Sequence, residues 1–283
     1  MNKILSLLAV LVIVVAVLNV VFLHDADAKP KEKEKAKQEE RVIPYPEGYD
    51  LSSGAAGYKL MGNHESSPYF STVDYYNAES NQNRTLLDRF KTYQQTKEYT
   101  CGPASALMVL HHFNNKKYDE LTIAKMMKTH IDIDGDNKDE QGVANERGEW
   151  GTSTDKMVSF FKQIGWNVQS SLETKDEAGF SFASPDEFKT FVQGHLKKNT
   201  PVMVEWTDWG GHWQVVIGYD DMGTPEHIGD DVLILADPYD TSDHNQDGYY
   251  TVSAERFFYM WRDDRVLPES QKDQQWVVAA PAK

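Results

Sequence analysis

The chain has 283 residues, of which 40% are hydrophobic and 26% charged, and its formal net charge is −15 at pH 7. This mixture is typical of a globular protein with a sizeable core, and it excludes a collagen-like or largely disordered chain. The acidic excess argues against nucleic acid as a partner, because a nucleic-acid-binding surface needs basic side chains to meet the phosphates.

Residues 1–28 have the composition of an export signal. An apolar run from Ile4 to Leu23 follows Lys3, and Ala26 and Ala28 stand at the two positions that an export peptidase recognises. The run is also long enough to cross a bilayer. A cleaved signal peptide and an uncleaved N-terminal anchor therefore both stay open. Either one predicts an exported protein, secreted or associated with the cell envelope, whose membrane contact is limited to this segment.

The rest of the chain divides into three regions by composition. Residues 29–41 are almost all charged and have few apolar side chains, which predicts a solvated linker. Residues 42–90 are rich in Tyr, Ser, Asn and Gly, so we expect an N-terminal extension of strands and loops that packs on the main domain. Residues 91–283 have sharper apolar periodicity and are predicted to form that domain.

Apolar spacing in the main domain predicts four helices followed by three strands. The first helix has almost no polar face, so it should be central and buried. Helices ahead of strands are typical of an α+β domain rather than of alternating βαβ units. The predicted helices cover residues 102–113, 121–129, 154–164 and 186–197, and the predicted strands cover residues 202–206, 213–219 and 232–236.

The single cysteine, Cys101, stands at the start of the first predicted helix. A single cysteine excludes an internal disulfide, and a lone thiol in an oxidising space is a liability unless it has a chemical role. Free N–H groups and the dipole at a helix N-terminus stabilise the thiolate, which is the nucleophilic form. Gly102 leaves room for a substrate backbone beside it. We therefore interpret Cys101 as a nucleophile.

His212 and Asp237 are predicted to meet at one end of a hairpin. His212 begins a predicted strand, and the strand 232–236 returns antiparallel after a loop, so its end lies beside the start of the first strand. A carboxylate at Asp237 would then fix the imidazole tautomer and stabilise its charged form. His212 is accordingly predicted to be the base of Cys101, and Asp237 the residue that orients it.

The remaining predicted site residues serve the oxyanion and the substrate. Gln95 lies on a loop ahead of Cys101, where its side-chain amide would donate to an oxyanion; the adjacent Gln94 stays open as an alternative. Gly102, Gly211 and Trp213 are predicted to bind the substrate. Tryptophans 206, 209 and 213 surround His212 in the sequence, and core packing and the lining of a substrate groove are both compatible with them.

These segments together resemble papain-like cysteine peptidases, in particular the bacteriocin-processing (double-glycine) peptidase type and its stand-alone relatives. The similarity spans about residues 92–240. It implies a papain-like fold, in which a helical lobe carries the Cys and an antiparallel sheet carries the His and Asp. It also implies amide hydrolysis through a thioester intermediate, a peptide or protein substrate, and no metal for the chemistry. The matching residues are Gln95, Cys101–Ala104, Gly211–His212 and Asp237–Pro238.

Two departures from the family pattern limit what the resemblance implies. Members often have Asp directly before the Cys, where this chain has Thr100. Many members are also fused to an exporter and cleave leader peptides at a double glycine, whereas this chain has neither an exporter region nor a phosphate-loop motif. The resemblance therefore indicates the chemistry and leaves the substrate open. It also leaves open whether residues 42–90 cover the site, and whether the acyl group passes to water or to an amine.

Two acidic segments resemble calcium loops. Asp243, Asn245 and Asp247 alternate ahead of Gly248, which is typical of the first half of such a loop, and Asp240 precedes them. The bidentate acid expected at the end of the loop is displaced by one residue. Residues 132–139 have a weaker version of the pattern. Structural calcium at the first segment and an ordinary acidic turn are the two interpretations.

Two functions from other classes compete with the hydrolase interpretation. One is a non-catalytic module that binds peptides or cell surfaces on a papain-like fold; the intact Cys, His, Asp and Gln argue against it. The other is a calcium-dependent structural or adhesive protein in which Cys101 has no chemical role. Removal of calcium would abolish function in the second case, but would only lower stability in a hydrolase.

Overall fold

The structure is a computed structural model that describes residues 40–59, 67–71, 73–131, 148–174, 176, 179–208, 210–263 and 271–282. The predicted signal or anchor, nearly all of the charged linker, the second acidic segment 132–139 and Trp209 lie outside the described residues. Within these ranges, no helix has both the length and the apolar character needed to cross a membrane.

The described residues contain six α-helices, two short 3₁₀ helices (Ser171–Glu173 and Ile228–Asp230) and nine strands. The four predicted helices correspond to α2–α5 and the three predicted strands to β5–β7, so these predictions are confirmed with small shifts at the ends. The helices are α1 (Gly54–Tyr58), α2 (Cys101–His112), α3 (Glu120–Met126), α4 (Thr154–Gln163), α5 (Pro185–Leu196) and α6 (Ala254–Met260). The strands are β1 (Arg84–Leu86), β2 (His130–Ile131), β3 (Glu149–Trp150), β4 (Trp166–Ser170), β5 (Val202–Thr207), β6 (Gly211–Asp220), β7 (Val232–Ala236), β8 (Tyr249–Ser253) and β9 (Gln275–Pro281).

Seven of these strands form one antiparallel sheet in the order β4-β9-β5-β6-β7-β8, with β1 paired to the far end of β6. The hairpin of β6 and β7 is antiparallel, as predicted, with Val215 opposite Ala236. A register irregularity between Val216 and Gly218 interrupts this pairing. Strands β2 and β3 form a separate two-stranded sheet. The α+β class predicted from the order of elements is confirmed.

The cysteine-bearing helix α2 lies in the core against β6. Every residue from Cys101 to Leu110 is buried, as the nearly all-apolar sequence of this helix predicts. The Ser105 hydroxyl donates to the carbonyl of Trp213 over 3.1 Å, which ties α2 to β6 next to the start of the strand. The start of α2 is thereby held near the strand end that carries His212.

Part of the N-terminal extension enters the core. Ile43, Leu87 and Phe90 are almost fully buried, and β1 pairs with β6. Contacts within the chain group Val42–Lys283 as one compact unit. Helix α1 is the one helix that the described part of the extension contributes, and it lies against the loop that leads to Cys101, where the amide of Ala56 donates to the carbonyl of Gln95 over 3.1 Å.

Candidate active site

The loop ahead of Cys101 is held by a buried carboxylate. Glu120, the first residue of α3, is fully buried and accepts hydrogen bonds from four donors. These are the amide and hydroxyl of Thr96 at 2.8 and 2.7 Å, the hydroxyl of Thr100 at 2.5 Å and that of Tyr93 at 2.8 Å. The residue directly before the cysteine is thus anchored to α3 through its hydroxyl, which gives Thr100 a structural role at the position where the family often has Asp.

Cys101, His212 and Asp237 lie in one hydrogen-bonded series. His212 Nε2 is 2.7 Å from Asp237 Oδ1, and the other side of the imidazole hydrogen-bonds Cys101. All three side chains are buried. Burial alone would lower the pKa of His212, but the charge of Asp237 and the hydrogen bonds to both partners outweigh it and raise this pKa to about 10. This arrangement favours an imidazolium that faces the sulfur.

Asp237 is fixed by three further hydrogen bonds that the sequence did not predict, and a fourth holds one of its partners. Its Oδ1 accepts from the amide of Tyr239 at 2.8 Å, and its Oδ2 accepts from Gln214 Nε2 at 2.9 Å. Gln214 Oε1 in turn accepts from Trp206 Nε1 at 2.8 Å. The carbonyl of Asp237 accepts from Gln94 Nε2 at 2.7 Å. The carboxylate therefore has one orientation, with both oxygens engaged.

The two candidate glutamines hold different parts of the site. Gln94 binds the main chain at Asp237, so it supports the orienting carboxylate. Gln95 Nε2 donates to the carbonyls of Lys97 and Glu98, at 2.7 and 3.2 Å, within the loop that leads to the cysteine. Both of its amide hydrogens are used in this way. The oxyanion role of Gln95 stays a prediction, and it requires one of these bonds to be exchanged for the substrate.

Two predicted substrate-binding residues have structural reasons for their identity. An ideal Cβ on Gly102 would lie 2.5 Å from Thr152 Cβ, so the close approach of this side chain, rather than a substrate, excludes larger residues. Trp213 is 1% exposed and its Nε1 donates to the carbonyl of Thr152 over 2.6 Å. The ring of Trp213 therefore has almost no exposed surface with which to make the predicted substrate contact. Trp206 is also buried, so core packing accounts for both rings.

Gly211, the third predicted substrate-binding residue, is exposed at the start of β6 but has a crowded side. A Cβ at this position would overlap the carboxyl group of Asp263 and would lie 3.3 Å from Glu205 Oε1. Two acidic side chains therefore pack against the residue that precedes His212. Sequence reasoning missed both acids.

A cavity of about 500 Å³ lies near the start of α2. One of its lining residues, Thr129, has its hydroxyl 2.8 Å from that of Thr152, the side chain that packs on Gly102. The cavity has apolar and basic walls, and it is lined by Tyr99, Leu121, Ala124, Lys125, Lys128, Thr129 and His130.

The predicted calcium ligands Asp243, Asn245 and Asp247 bind their own loop. Asp243 Oδ1 accepts from the amide of Asn245 at 2.9 Å, and Asn245 Nδ2 donates to Asp247 Oδ2 at 2.8 Å. In the part of the chain that the structure describes, no three His, Cys, Asp or Glu side chains form a group that could hold a metal ion. Because Asn245 turns its amide nitrogen toward Asp247, the three side chains do not offer a shared oxygen cage, and calcium stays a prediction.

Comparison with known proteins gives a family. The model of the Peptidase_C39 like family matches residues 87–265, more than half of the chain and a range that includes Cys101, His212 and Asp237. No curated protein matches the chain. Solved structures are also similar, and the three described next are at 20% identity or less.

The first two structures are peptidase domains of ComA. The domain of Streptococcus ComA, a bi-functional ABC transporter involved in a quorum-sensing pathway, is 20% identical, covers 68% of this chain and 99% of its own, and has a TM-score of 0.38. The domain of Streptococcus mutans ComA is 15% identical, covers 68% and 100%, and has a TM-score of 0.32. The SERA5 proenzyme from Plasmodium falciparum is 10% identical, covers 74% and 69%, and has a TM-score of 0.40. By its family match and its architecture, the chain belongs to the Peptidase_C39 like family and has a papain-like α+β fold.

Proposed function

We propose that this protein is an exported cysteine peptidase that hydrolyses peptide bonds with Cys101, His212 and Asp237. One observation carries the proposal: the buried series from Cys101 through His212 to Asp237, in which the carboxylate has a single orientation. A buried imidazole that is raised in pKa beside a thiol at a helix start is the arrangement that activates a cysteine nucleophile. An inert cysteine has no need of an oriented imidazole.

The reaction follows from these positions. The Cys101 thiolate attacks the substrate carbonyl, and the oxyanion accepts the backbone N–H of Cys101, which as the first helical residue has no intrahelical acceptor. Gln95 is the second donor. His212 gives its proton to the leaving amine, which leaves a thioester on the sulfur. His212 then takes a proton from water, and the resulting attack releases the acid and restores the thiol. Asp237 orients the ring throughout.

The first test measures the reactivity of the Cys101 thiol and needs no substrate. Cys101 is the single thiol, so its alkylation by iodoacetamide can be followed against pH in a protein that begins near Lys29. We expect a rate that is already high near pH 5, and we expect His212→Ala to remove this plateau. A rate that rises only near the pKa of a free thiol, about 8.5, would contradict the proposal and favour the non-catalytic module.

The second test reads hydrolysis. The wild type is incubated with a proteome-derived peptide library, and new termini are identified by mass spectrometry with Cys101→Ala as the blank. Cleavage by the wild type alone supports a peptidase. If Cys101 is activated but no peptide is cleaved, transfer to an amine is tested next by the addition of a primary amine acceptor.

The cavity lined by Tyr99, two residues ahead of Cys101, supports a preference for acidic side chains in the substrate. Lys125 and Lys128 are exposed on its wall and pair with no carboxylate among the described residues, in a chain with a net charge of −15. Exposed cations in an acidic protein attract an anionic group to their own surface. In the library assay, Lys125→Glu with Lys128→Glu should lower the share of acidic residues beside the cleavage point. Lys198→Glu, an exposed lysine that does not line the cavity, is the matched control. An unchanged preference in the double variant would contradict this choice of substrate.

The exported location is proposed from residues 1–28. N-terminal sequencing of the protein from its producing cells separates the two open forms. A new terminus near Lys29 means a cleaved signal, whereas an intact Met1 in the membrane fraction means an anchor. A full-length chain in the cytosolic fraction would contradict export.

A further inference from the structure

Two buried acids meet beside the proposed base. Glu205 on β5 is 3% exposed, and Asp263, which follows α6, is fully buried. Both carboxyl groups pack on Gly211, where a Cβ would overlap that of Asp263 and would lie 3.3 Å from Glu205 Oε1. The Trp261 indole, at the end of α6, also links this segment to β5, because it donates to the carbonyl of Glu205 over 2.9 Å. The acids therefore lie where β5, the start of β6 and the segment after α6 converge.

The two carboxyl groups share a hydrogen bond, and that bond requires a proton. Glu205 hydrogen-bonds Asp263 side chain to side chain. An ionised carboxylate has only acceptors, so two of them cannot make this bond. Burial, followed by the charge of Asp263, raises the pKa of Glu205 well above its usual range. Glu205 accordingly keeps its proton to a higher pH than a free glutamate does.

Glu205 is also connected to both proposed catalytic residues. Its carboxyl group packs on Gly211, the residue before His212, and it lies close enough to Cys101 for the charge of the thiolate to act on it. The titratable groups that act on Glu205 are thus Asp263 after α6 and Cys101 on α2. A second negative charge at this place would oppose the formation of the Cys101 thiolate.

We propose that Glu205 is a positioning residue of the catalytic centre, which shares a proton with Asp263 and holds the backbone of His212 opposite Cys101. The role in catalysis rests on the function proposed above, whereas the shared proton does not. The proton keeps the pair at a single negative charge, and the packing of both carboxyl groups on Gly211 fixes the position of the next residue, His212, along β6. Glu205 acts on the reaction through the position of His212 and through its charge near Cys101.

The shared proton has a signature in stability that is independent of activity. The unfolded Glu205 loses its proton near pH 4.3, whereas the folded one keeps it to a much higher pH, so the wild type loses stability as pH rises through this window. Glu205→Gln keeps the shape of the side chain, its packing on Gly211 and a donor for Asp263, but it has no proton to lose. We expect this variant to become more stable relative to the wild type as pH rises above about 4.3. The ratio of the wild-type to the variant unfolding constant should grow by up to about tenfold per pH unit.

The experiment measures urea unfolding of the wild type and Glu205→Gln from pH 4 to pH 9. Glu173→Gln is the matched control, because Glu173 is exposed beside Lys162, and we expect its difference from the wild type to stay flat with pH. Asp263→Asn provides a donor to an ionised Glu205 and should reduce the wild-type slope in the same way. A Glu205→Gln difference that is constant with pH, or that turns against the variant as pH rises, would overturn the shared proton.

The positioning role is read from the alkylation of Cys101 at pH 7. We expect Glu205→Gln to stay within about threefold of the wild type and Glu205→Ala to be slower by about tenfold or more, because a small displacement of the base is costly. Equal rates in Glu205→Ala and the wild type would overturn the role. If the wild-type thiol is inert, the proposed function fails, while the unfolding data still decide whether the proton is shared.

Discussion

Asp237→Asn tests the direction of the hydrogen bonds that hold the proposed triad. Trp206 Nε1 can only donate, so Gln214 turns its oxygen to Trp206 and its nitrogen to Asp237. In Asp237→Asn, the oxygen that faces His212 and the Tyr239 amide is kept. The new NH₂ group then faces the Gln214 NH₂ group, and no flip of Gln214 repairs this without a clash of donors at Trp206. An unpaired buried donor costs about 1–3 kcal/mol.

Gln214→Glu repairs this mismatch and completes a double-mutant cycle. Its carboxylate accepts from Trp206 and from the amide nitrogen that Asp237→Asn introduces. In the wild-type background the same change places a second carboxylate against that of Asp237 and should destabilise the protein. We expect the double variant to be more stable than the sum of the single changes by about 1–3 kcal/mol, measured by urea unfolding at pH 7. A coupling within about 0.5 kcal/mol of zero would refute the assigned direction of the hydrogen bonds.

The stability cost of Asp237→Asn has a second contribution, from the lost negative charge beside His212, and this contribution depends on pH. The folded pKa of His212 is raised from about 6.5 to about 10, so the stability gained from this pair is full below about pH 6.5 and is lost as pH rises toward 10. Asp237→Asn should therefore cost more stability at pH 6 than at pH 10, whereas the donor mismatch is the same at both. A cost that does not fall with pH would mean that Asp237 is not the source of the raised pKa.

Two further predictions concern the start of α2 and the acidic loop. Gly102→Ala should destabilise the protein by about 1–3 kcal/mol, because its Cβ meets Thr152, whereas Gly151→Ala, with no atom within 4 Å, should be neutral. Comparison of their urea midpoints checks this, and equal midpoints would contradict it. Calcium at Asp243 and Asp247 predicts a higher Tm in calcium than in chelator, and Asp247→Asn should remove the difference. Identical wild-type Tm values in the two buffers would refute the calcium interpretation.

The parts of the fold that were predicted from the sequence are those determined by nearby residues. Helix α2 has an apolar run with a proline in its first turn, and the hairpin of β6 and β7 is local. For that reason, the lengths of the two strands and of their loop were enough to predict that Asp237 lies close to His212. Strand β9 was missed because its neighbours β4 and β5 lie far away in the chain, and pairing at such distance has no local pattern.

The buried acids around the site show why the rest was not predicted. Glu120 is buried because hydroxyl and amide donors from a distant loop surround it, and nothing in its own neighbourhood in the chain indicates this. Glu205 had a usable signal, since it is the single charged residue of the strand Val202–Thr207. An acid within an apolar strand needs either an exposed face or a buried partner, and the sequence alone does not name Asp263 as that partner.

The contacts of helix α1 provide a test of whether the N-terminal extension supports the site or covers it. The Ser53 hydroxyl donates to the carbonyl of Thr96 over 2.9 Å, and the amide of Gly54 donates to Glu98 Oε1 over 3.1 Å. Gly54 has a φ of +60°, and a Cβ there would lie 2.6 Å from the carbonyl oxygen of Gln95. Any side chain at this position must therefore displace the loop that leads to Cys101.

Gly54→Ala therefore predicts slower alkylation of Cys101, together with a stability loss greater than that of Gly48→Ala. Gly48 is the matched control because its φ is +83° and a Cβ there meets no atom within 4 Å, so that substitution isolates the backbone strain of about 1–2 kcal/mol. The extra cost of Gly54→Ala then measures the contact with Gln95. An extension that blocks the site predicts the reverse, since loosening α1 would expose the thiol. Faster alkylation in Gly54→Ala than in Gly48→Ala would refute the supporting role and establish the extension as a cover.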